Sequence, residues 1–456
     1  MIPMSLAQVA AVTGGTLSET ADPETLVTGD VEFDSRKAGP GGLFLAIPGA
    51  KADGHDFAAK AHAQGAVATI ATRPIDTPAV YVDDAIEALT RLAKHIAANA
   101  KARIIGVTGS NGKTSTKDLI GQLCARLGPT VATEANFNNE LGHPYTVCRT
   151  APETEYLVLE LAARGLGHIT QLCEIAPPSI GVVLNVGISH LDGFGSIETT
   201  AKAKSELPQA LGPDGTLFVN ADDPRVAAMA DLTRAQTYSF GLGGDAEVRA
   251  EDVDPGDGRH SFTLVTPAGS ARVRLQLWGD HHVYNALAAA GVLWKLGASP
   301  EEIAAGLAES GRLSERRMDV FTRPDGTVVI DDSYNANPAS MGAAVRALGL
   351  LPTEGRRIAV LGLMADLEEL EEECHRRLGE QARDAGIDEV IAVGEGTQPI
   401  MDGADGVTST HVPDQAAAIA LLDNRLRPGD AVLVKGSRYR TWDVADHLRA
   451  KEETDQ

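Results

Sequence analysis

The 456-residue chain carries a formal charge of −23 at pH 7, and 43% of its residues are hydrophobic. This length exceeds what one core usually organises, so we expect two or three domains, and the negative charge excludes a general nucleic-acid-binding surface. The sequence has no basic and then apolar N-terminal segment, no run of about 18 apolar residues, and too few cysteines for a disulfide scaffold. We therefore expect a cytoplasmic protein without membrane insertion.

Residues 1–100 alternate short strand-like runs with alanine-rich helical stretches. Residues 42–47 form an apolar run of strand length, and residues 57–65 and 85–100 each predict a helix. This alternation predicts a small N-terminal α/β domain.

Residues 101–312 predict a central domain built on a parallel sheet. Its predicted strands are continuous apolar runs, at Ile104–Val107, Tyr156–Leu159, Ile180–Leu184 and Thr216–Val219. Such runs are typical of parallel strands that are covered on both faces. The stretch 246–277 alternates in polarity, which predicts antiparallel strands, and a helix is predicted from His282 to Leu296.

Residues 313–456 again alternate strands and helices. The strand-like runs are Val328–Ile330, Arg357–Leu361, Glu389–Val393 and Ala431–Val434. The predicted fold class is therefore α/β with three domains, in which a central P-loop ATPase-like domain with a parallel sheet lies between an N-terminal α/β domain and a C-terminal Rossmann-like α/β domain.

The strongest chemical signal is a glycine-rich turn between the strand at Ile104–Val107 and a helix that opens at Lys113 or Thr114. Backbone amides and a helix N-terminus in this arrangement bind phosphate, Lys113 reaches the β- and γ-phosphates, and the Thr114 hydroxyl binds Mg²⁺. The turn departs from the usual phosphate-loop pattern because Val107 stands where the first glycine belongs. The minority interpretation is a Gly-Lys-Thr sequence that occurs in a turn by chance. The predicted ATP-binding residues are Thr108, Gly109, Ser110, Asn111, Gly112, Lys113, Thr114 and Ser115.

Three further side chains are ambiguous from the residues alone. Glu160 follows a predicted strand at the sheet edge where α/β folds bind ligands, although such a residue is more often merely solvated. His190 follows the next strand, where metal ligation is a minority interpretation. Lys204 is predicted to be an exposed lysine on a helix.

The motifs together identify a family. The block Thr108–Thr114, the block Asn136–Gly142 and the block Asp332–Pro338 resemble those of the Mur ligases, and the match extends over almost the whole chain. The resemblance implies an amide ligase that uses ATP to activate a carboxylate as an acyl phosphate. The block at 332–338 resembles the member that joins D-alanyl-D-alanine to UDP-N-acetylmuramoyl-tripeptide in peptidoglycan precursor synthesis. The alternatives are a tripeptide-forming member that adds a diamino acid, a folylpolyglutamate synthase and, least favoured, a non-enzymatic nucleotide switch.

The resemblance also implies roles for the ambiguous residues. Glu160 and His190 resemble Mg²⁺ ligands that act with Thr114, and two Mg²⁺ ions are expected. Lys204 resembles the lysine that carries a CO₂-derived carbamate, with Lys202 as the alternative. The expected catalytic set is Lys113, Glu160, His190, Lys204 and Arg317, and the expected metal ligands are Thr114, Glu160, His190 and Lys204.

Substrate contacts are expected on all three domains. His281, Asn285, Arg317 and Asp332 resemble nucleotide contacts, and because Arg317 and Asp332 lie on another domain than Lys113, catalysis requires domain closure. In the N-terminal domain, which resembles a uridine-nucleotide-binding domain, Ser35 and Arg36 are the expected diphosphate contacts; without the resemblance they are equally well plain surface. The expected substrate-binding residues are Ser35, Arg36, Asn138, Asn139, Tyr334, Asn335, Asn337, Lys435 and Ser437. The chain departs from the family pattern at Leu363, Asp366 and Tyr439, and we expect a monomer.

Overall fold

The computed structural model describes residues 1–49, 52–134, 137–188, 194–437 and 440–453. Three α/β units follow one another along the chain, each built on its own sheet, and they are called the N-terminal, central and C-terminal layers. This arrangement confirms the predicted fold class. Within these described ranges, no helix is long and apolar enough to cross a membrane. The boundaries after residues 100 and 312 stay predictions; they fall between the sheets.

In the part of it that the structure describes, the N-terminal layer holds short strands and three α-helices. The sheet order is β2-β7-β6-β5-β4, and β1 pairs with β3 separately. The strands are β1 (Met4–Ser5), β2 (Thr16–Leu17), β3 (Leu26–Val27), β4 (Val31–Glu32), β5 (Leu43–Leu45), β6 (Ala68–Ala71) and β7 (Ala79–Tyr81), and the helices are α1 (Leu6–Thr13), α2 (Ala58–Ala63) and α3 (Ala85–Asn99). The helix predicted over 57–65 is shorter because Gly54–Phe57 forms a 3₁₀ turn before it.

The central layer is a nine-stranded sheet in the order β16-β15-β14-β13-β12-β11-β8-β10-β9, parallel except for β15 and β16. The strands are β8 (Arg103–Thr108), β9 (Thr130–Ala132), β10 (Tyr156–Glu160), β11 (Ile180–Val183), β12 (Thr216–Asn220), β13 (Gln236–Gly241), β14 (Val248–Asp254), β15 (Ser261–Thr266) and β16 (Gly269–Arg274). The helices are α4 (Lys113–Cys124), α5 (Gly142–Cys148), α6 (His168–Ile175), α7 (Ile197–Lys204), α8 (Glu206–Ala210), α9 (Pro224–Ala227), α10 (His281–Lys295) and α11 (Pro300–Glu309), with a 3₁₀ turn at Ala228–Leu232.

The C-terminal layer is a six-stranded sheet in the order β17-β18-β22-β19-β20-β21, parallel except for β17. The strands are β17 (Asp319–Thr322), β18 (Val328–Asp331), β19 (Arg357–Gly362), β20 (Glu389–Val393), β21 (Thr408–Val412) and β22 (Ala431–Lys435). The helices are α12 (Pro338–Leu350), α13 (Glu371–Asp384), α14 (Gln398–Gly403), α15 (Gln415–Arg425) and α16 (Trp442–Glu453), with a 3₁₀ turn at Glu368–Leu370.

Apolar packing joins the layers. One buried cluster runs without a break from Leu89 on α3 to Leu157 and Leu159 on β10, so the N-terminal layer shares a core with one face of the central sheet. Helices α4 and α10 cover the opposite face of that sheet. Ile188 and Trp278 of the central layer pack against the C-terminal core. These contacts bring the carboxyl edge of the central sheet close to the C-terminal layer.

Candidate active site

The phosphate loop lies between β8 and α4, at the carboxyl edge of the central sheet. Gly112 has a φ of 79°, and a Cβ atom there would stand 2.5 Å from the Asn285 Oδ1 atom. Only glycine therefore fits this turn without strain or displacement of Asn285. Asn285 itself accepts a hydrogen bond from the Thr116 hydroxyl at 3.1 Å, so the loop, α4 and α10 support one another.

The segment after β11 fixes the shape of this loop. The Asn111 amide donates to the Asn185 side-chain oxygen at 2.8 Å, and the Asn185 side-chain nitrogen donates to the Asn111 carbonyl at 3.1 Å. The Ser110 hydroxyl donates to the Gly187 carbonyl at 3.1 Å and accepts from the Gly187 amide at 2.9 Å. The loop is thus preorganised by reciprocal hydrogen bonds.

Lys113 lies at the first position of α4. Its Nζ atom donates to the carbonyls of Gly109 at 2.8 Å and Ser110 at 3.2 Å. Burial lowers the pKa of this amine, the Glu160 carboxylate opposes that effect, and the positive charge of Arg317 adds to it. An anion in the cavity would therefore favour the charged lysine strongly, as phosphate binding requires.

Glu160 is the last residue of β10 and not, as predicted, the residue after it, and it is almost fully buried. Its Oε1 atom accepts a hydrogen bond from the Asn138 side chain at 2.8 Å, whereas its buried Oε2 atom has no partner among the described residues. An unpartnered buried carboxylate oxygen in a cavity that Thr114 also lines fits a hard cation such as Mg²⁺. The part of the chain that the structure describes contains no group of three His, Cys, Asp or Glu side chains that could hold a metal by itself, and His190 lies outside that part.

Lys204 is not the exposed lysine that the sequence predicted, because its side chain turns inward and is only 3% exposed. The Nζ atom lies 5.6 Å from the centre of the Phe194 ring. Burial and the nearby charge of Lys113 lower the pKa of this amine to about 7. Lys202, the alternative, is exposed on the same helix.

Side chains of the C-terminal layer face this edge of the central sheet. The Arg317 guanidinium stacks 4.2 Å from the centre of the Tyr334 ring. The Lys435 Nζ atom bonds to an Asp332 carboxylate oxygen at 2.5 Å and to the Asn335 carbonyl at 2.8 Å.

A direct bridge between the layers lies beside them. The Asn337 side chain donates to the Asn111 side-chain oxygen at 2.6 Å, so the C-terminal layer touches the phosphate loop itself.

One cavity of about 700 Å³ unites these groups. The predicted residues that line it are Gly109, Ser110, Asn111, Gly112, Lys113, Thr114, Ser115, Asn138, Glu160, Lys204, His281, Asn285, Arg317, Asp332, Tyr334, Asn335, Asn337 and Lys435. Clusters of facing lysine, arginine and carboxylate side chains from two layers suit a polyanionic ligand with a cation.

Other predicted residues lie outside this cavity. The Thr108 hydroxyl is buried and donates to the Leu161 carbonyl at 2.9 Å, and the Asn139 side chain accepts from the Gly142 amide at the start of α5. Arg36 is exposed and pairs with Asp34 at 2.7 Å, next to the buried Ser35.

The loop after β22 also lies outside the cavity. The Ser437 hydroxyl donates to the Leu363 carbonyl at 2.9 Å, which ties the loop after β22 to the loop after β19. Asp366 in that second loop has a φ of 61°. Tyr439 lies outside the described residues.

Several cavity residues were missed by the sequence reasoning, among them Asn185, Phe194, Asn220, Tyr284 and Arg346. Asn185 follows β11 at the edge where Glu160 ends β10, so the strand-end argument made for Glu160 would have found it. Arg346 on α12 carried no such signal, because its position depends on a salt bridge to Asp280 at 2.9 Å in the central layer.

Comparison with known proteins agrees with this geometry. Three family models match the chain: "Mur ligase family, catalytic domain" at residues 30–108, "Mur ligase middle domain" at residues 107–293, and "Mur ligase, glutamate ligase domain" at residues 316–438. The UDP-N-acetylmuramoyl-tripeptide--D-alanyl-D-alanine ligase of Mycobacterium tuberculosis is 46% identical, with 96% of each chain covered.

Solved structures of Mur ligases are also similar to this chain. A crystal structure of MurF from Acinetobacter baumannii has a TM-score of 0.86 at 32% identity and covers 98% of this chain and 99% of its own. The MurF ligase from Thermotoga maritima in complex with ADP has a TM-score of 0.80 at 29% identity and covers 94% and 99%. The chain therefore belongs to the Mur ligase family.

Proposed function

We propose that the chain is an ATP-dependent ligase that joins D-alanyl-D-alanine to UDP-N-acetylmuramoyl-tripeptide in peptidoglycan precursor synthesis, the reaction that names its Mycobacterium tuberculosis relative. The observation that carries the proposal is the shared cavity. It brings together Lys113 of the central layer with Arg317 and Lys435 of the C-terminal layer. Phosphoryl transfer to a carboxylate needs such a convergence of positive charge on crowded oxygens.

The substrate chemistry sets the order of events. A carboxylate is a poor electrophile because its leaving group would be oxide. The terminal carboxylate of the tripeptide attacks the γ-phosphate of ATP, so the bond to ADP breaks and an acyl phosphate forms. The amine of D-alanyl-D-alanine then attacks the acyl carbon, loses a proton, and inorganic phosphate leaves.

The protein contributes positioning and charge to these steps. The glycine-rich loop and Lys113 hold the phosphates, and Arg317 offsets the charge that develops during transfer. Thr114 and Glu160 would hold Mg²⁺ with the predicted ligand His190, and two ions are proposed. Bound Mg²⁺ supplies electrostatic stabilisation of the phosphate oxygens.

Lys204 is the proposed site of carbamylation. Because burial and Lys113 lower its pKa to about 7, a substantial fraction of the amine is neutral at neutral pH. A neutral amine attacks CO₂ and releases a proton, which leaves a carbamate whose oxygens suit Mg²⁺. Its position in the cavity, compared with the exposed Lys202, favours Lys204 as the modified residue.

The remaining contacts divide among the domains, for which we propose the limits 1–100, 101–312 and 313–456. His281, Asn285 and Asp332 would bind the adenosine, and Ser35 and Arg36 the uridine diphosphate. The other proposed substrate contacts are Asn138, Asn139, Tyr334, Asn335, Asn337, Lys435 and Ser437. We propose a cytoplasmic monomer.

One incubation tests the proposal. The protein is mixed with ATP, Mg²⁺ and UDP-N-acetylmuramoyl-tripeptide, and offered either D-alanyl-D-alanine or single amino acids. Phosphate release and mass spectrometry of the product are expected to show one added dipeptide. Addition of a single amino acid in place of the dipeptide, or ATP hydrolysis without a peptide product, would refute it.

A further inference from the structure

Two candidate Mg²⁺ donors sit on different elements: Thr114 on α4 and Glu160 at the end of β10. We propose that Lys117 and Thr133 are positioning residues that hold Glu160 in place relative to the phosphate-loop helix and thereby set the affinity of the ATP site for its divalent cation. This inference rests on the proposed function, because it concerns the metal of the same site. Neither side chain lines the cavity.

Thr133 replaces a missing sheet bond at the end of β10. Strand β9 pairs with β10 only from Thr130 to Ala132, opposite Tyr156–Val158, and the Thr133 amide continues the ladder by donating to the Val158 carbonyl at 2.9 Å. Beyond this point β9 has ended. The Glu160 amide donates at 3.1 Å to the Thr133 hydroxyl instead of to a strand carbonyl.

Lys117 anchors Thr133 to the phosphate-loop helix. It lies one helical turn after Lys113 on α4, and its side chain is 2% exposed. Its Nζ atom donates to the Thr133 carbonyl at 2.6 Å and bonds to the Asp118 carboxylate at 2.5 Å. A buried ammonium with two such bonds is a rigid anchor, because releasing either partner would leave a buried polar group unsatisfied.

The contacts form one buried route between the two donors. The route runs from α4 through the Lys117 side chain, the Thr133 carbonyl and the Thr133 hydroxyl to the Glu160 backbone. Asn138 holds Oε1 of the Glu160 carboxylate at 2.8 Å from the other side. Removing the Thr133 hydroxyl leaves the backbone amide of Glu160 without a hydrogen-bond partner. Loss of a contact that holds a metal ligand in place typically changes metal affinity by about 10- to 100-fold.

Three threonine variants test the proposal. Thr133→Val removes the hydroxyl and keeps the shape, whereas Thr133→Ser keeps the hydroxyl and loses only a methyl group. The matched control is Thr150→Val, because the Thr150 hydroxyl is also buried but finds no hydrogen-bond partner among the described residues. Mn²⁺ replaces Mg²⁺, and its binding in the presence of a non-hydrolysable ATP analogue is followed by the electron paramagnetic resonance signal of free Mn²⁺.

We expect Thr133→Val to weaken Mn²⁺ binding by about tenfold or more, and Thr133→Ser and Thr150→Val to bind within about twofold of the wild type. Equal affinity of Thr133→Val and wild type, or a serine variant as weak as the valine variant, would overturn the proposal. Should Thr133→Val fail to fold, Thr133→Ala also removes the hydroxyl and makes the same test without placing a methyl group at its position. The measurement needs neither peptide substrate, so a wild type that binds Mn²⁺ and nucleotide but does not add the dipeptide to the tripeptide contradicts the proposed ligase and not this inference.

Discussion

Replacing the buried amine of Lys204 should stabilise the unliganded protein while abolishing its proposed activity. Burial and the charge of Lys113 hold the pKa of this amine at about 7, against an ordinary value of 10.5. The unfolded chain therefore binds this proton more tightly than the folded chain does, and between about pH 7 and pH 10.5 it carries more of it. At pH 7 the difference corresponds to about 4 kcal/mol of lost stability, at about 1.4 kcal/mol per pH unit. Lys204→Met removes this penalty and keeps an apolar stem against Phe194.

The sign of the effect gives the assay its pH dependence. The penalty is complete below pH 7 and disappears as the pH rises towards 10.5, because the unfolded chain then also loses the proton. Urea unfolding in CO₂-free buffer at pH 7 should give Lys204→Met a higher midpoint than the wild type, with an advantage that shrinks at pH 10. The control is Lys202→Met on the exposed side of the same helix, which should change stability by less than about 0.5 kcal/mol. A destabilised Lys204→Met at pH 7, or an advantage that persists unchanged at pH 10, would refute the reasoning.

Three further variants test other buried or charged groups. Lys113→Ala should reduce phosphate release by at least about a hundredfold, because it removes charge that stabilises the transition state. The exposed control Lys94→Ala should not reduce it, and retained activity in Lys113→Ala would contradict the assignment of the phosphate loop. Lys117→Met should lower the free energy of unfolding by about 3–5 kcal/mol, because the Asp118 carboxylate loses its cation and the Thr133 carbonyl loses its donor. The double variant Lys117→Met/Asp118→Asn should recover the carboxylate's part of this loss in urea titrations; no recovery would argue against the pair. Burial lowers the pKa of His143 from 6.5 to about 4, so the free energy of unfolding of the wild type should fall by about 3 kcal/mol between pH 6.5 and pH 4 as the unfolded chain takes up the proton. His143→Leu should not show that part of the fall, and an equal fall in both proteins would disprove the role of this side chain.

The predicted strands were recovered well where the chain is buried on both faces. The runs at 104–107 and 431–434 appear as β8 and β22 with one or two residues added, because a continuous apolar run has few other ways to bury both sides. Strand β17 was not predicted. Its residues, Asp319–Thr322, are only partly buried and pair antiparallel at a sheet edge, so they carry no continuous apolar signal.

The site was predictable to the extent that its contacts are local in sequence. The carbonyls that Lys113 meets belong to Gly109 and Ser110, within four residues, so a short motif contains the whole geometry. The partner of Asn337 is Asn111, and this contact comes from the folding of the C-terminal layer against the phosphate loop. No single segment of the sequence indicates that arrangement, and the residues were predicted only from the resemblance to the Mur ligases.

Lys117 and Lys204 show why local sequence is insufficient for buried amines. Both follow small or polar residues on helices, and nothing in those segments indicates burial. Their environments differ in a way that decides their chemistry: Lys117 lies against the Asp118 carboxylate and the Thr133 carbonyl, whereas Lys204 faces the Phe194 ring and the positive charge of Lys113. Lys117 has a carboxylate partner and a carbonyl partner that fix its side chain, whereas burial and the charge of Lys113 lower the pKa of Lys204. The same residue type is therefore the proposed positioning residue of the metal site at one place and the proposed site of carbamylation at another.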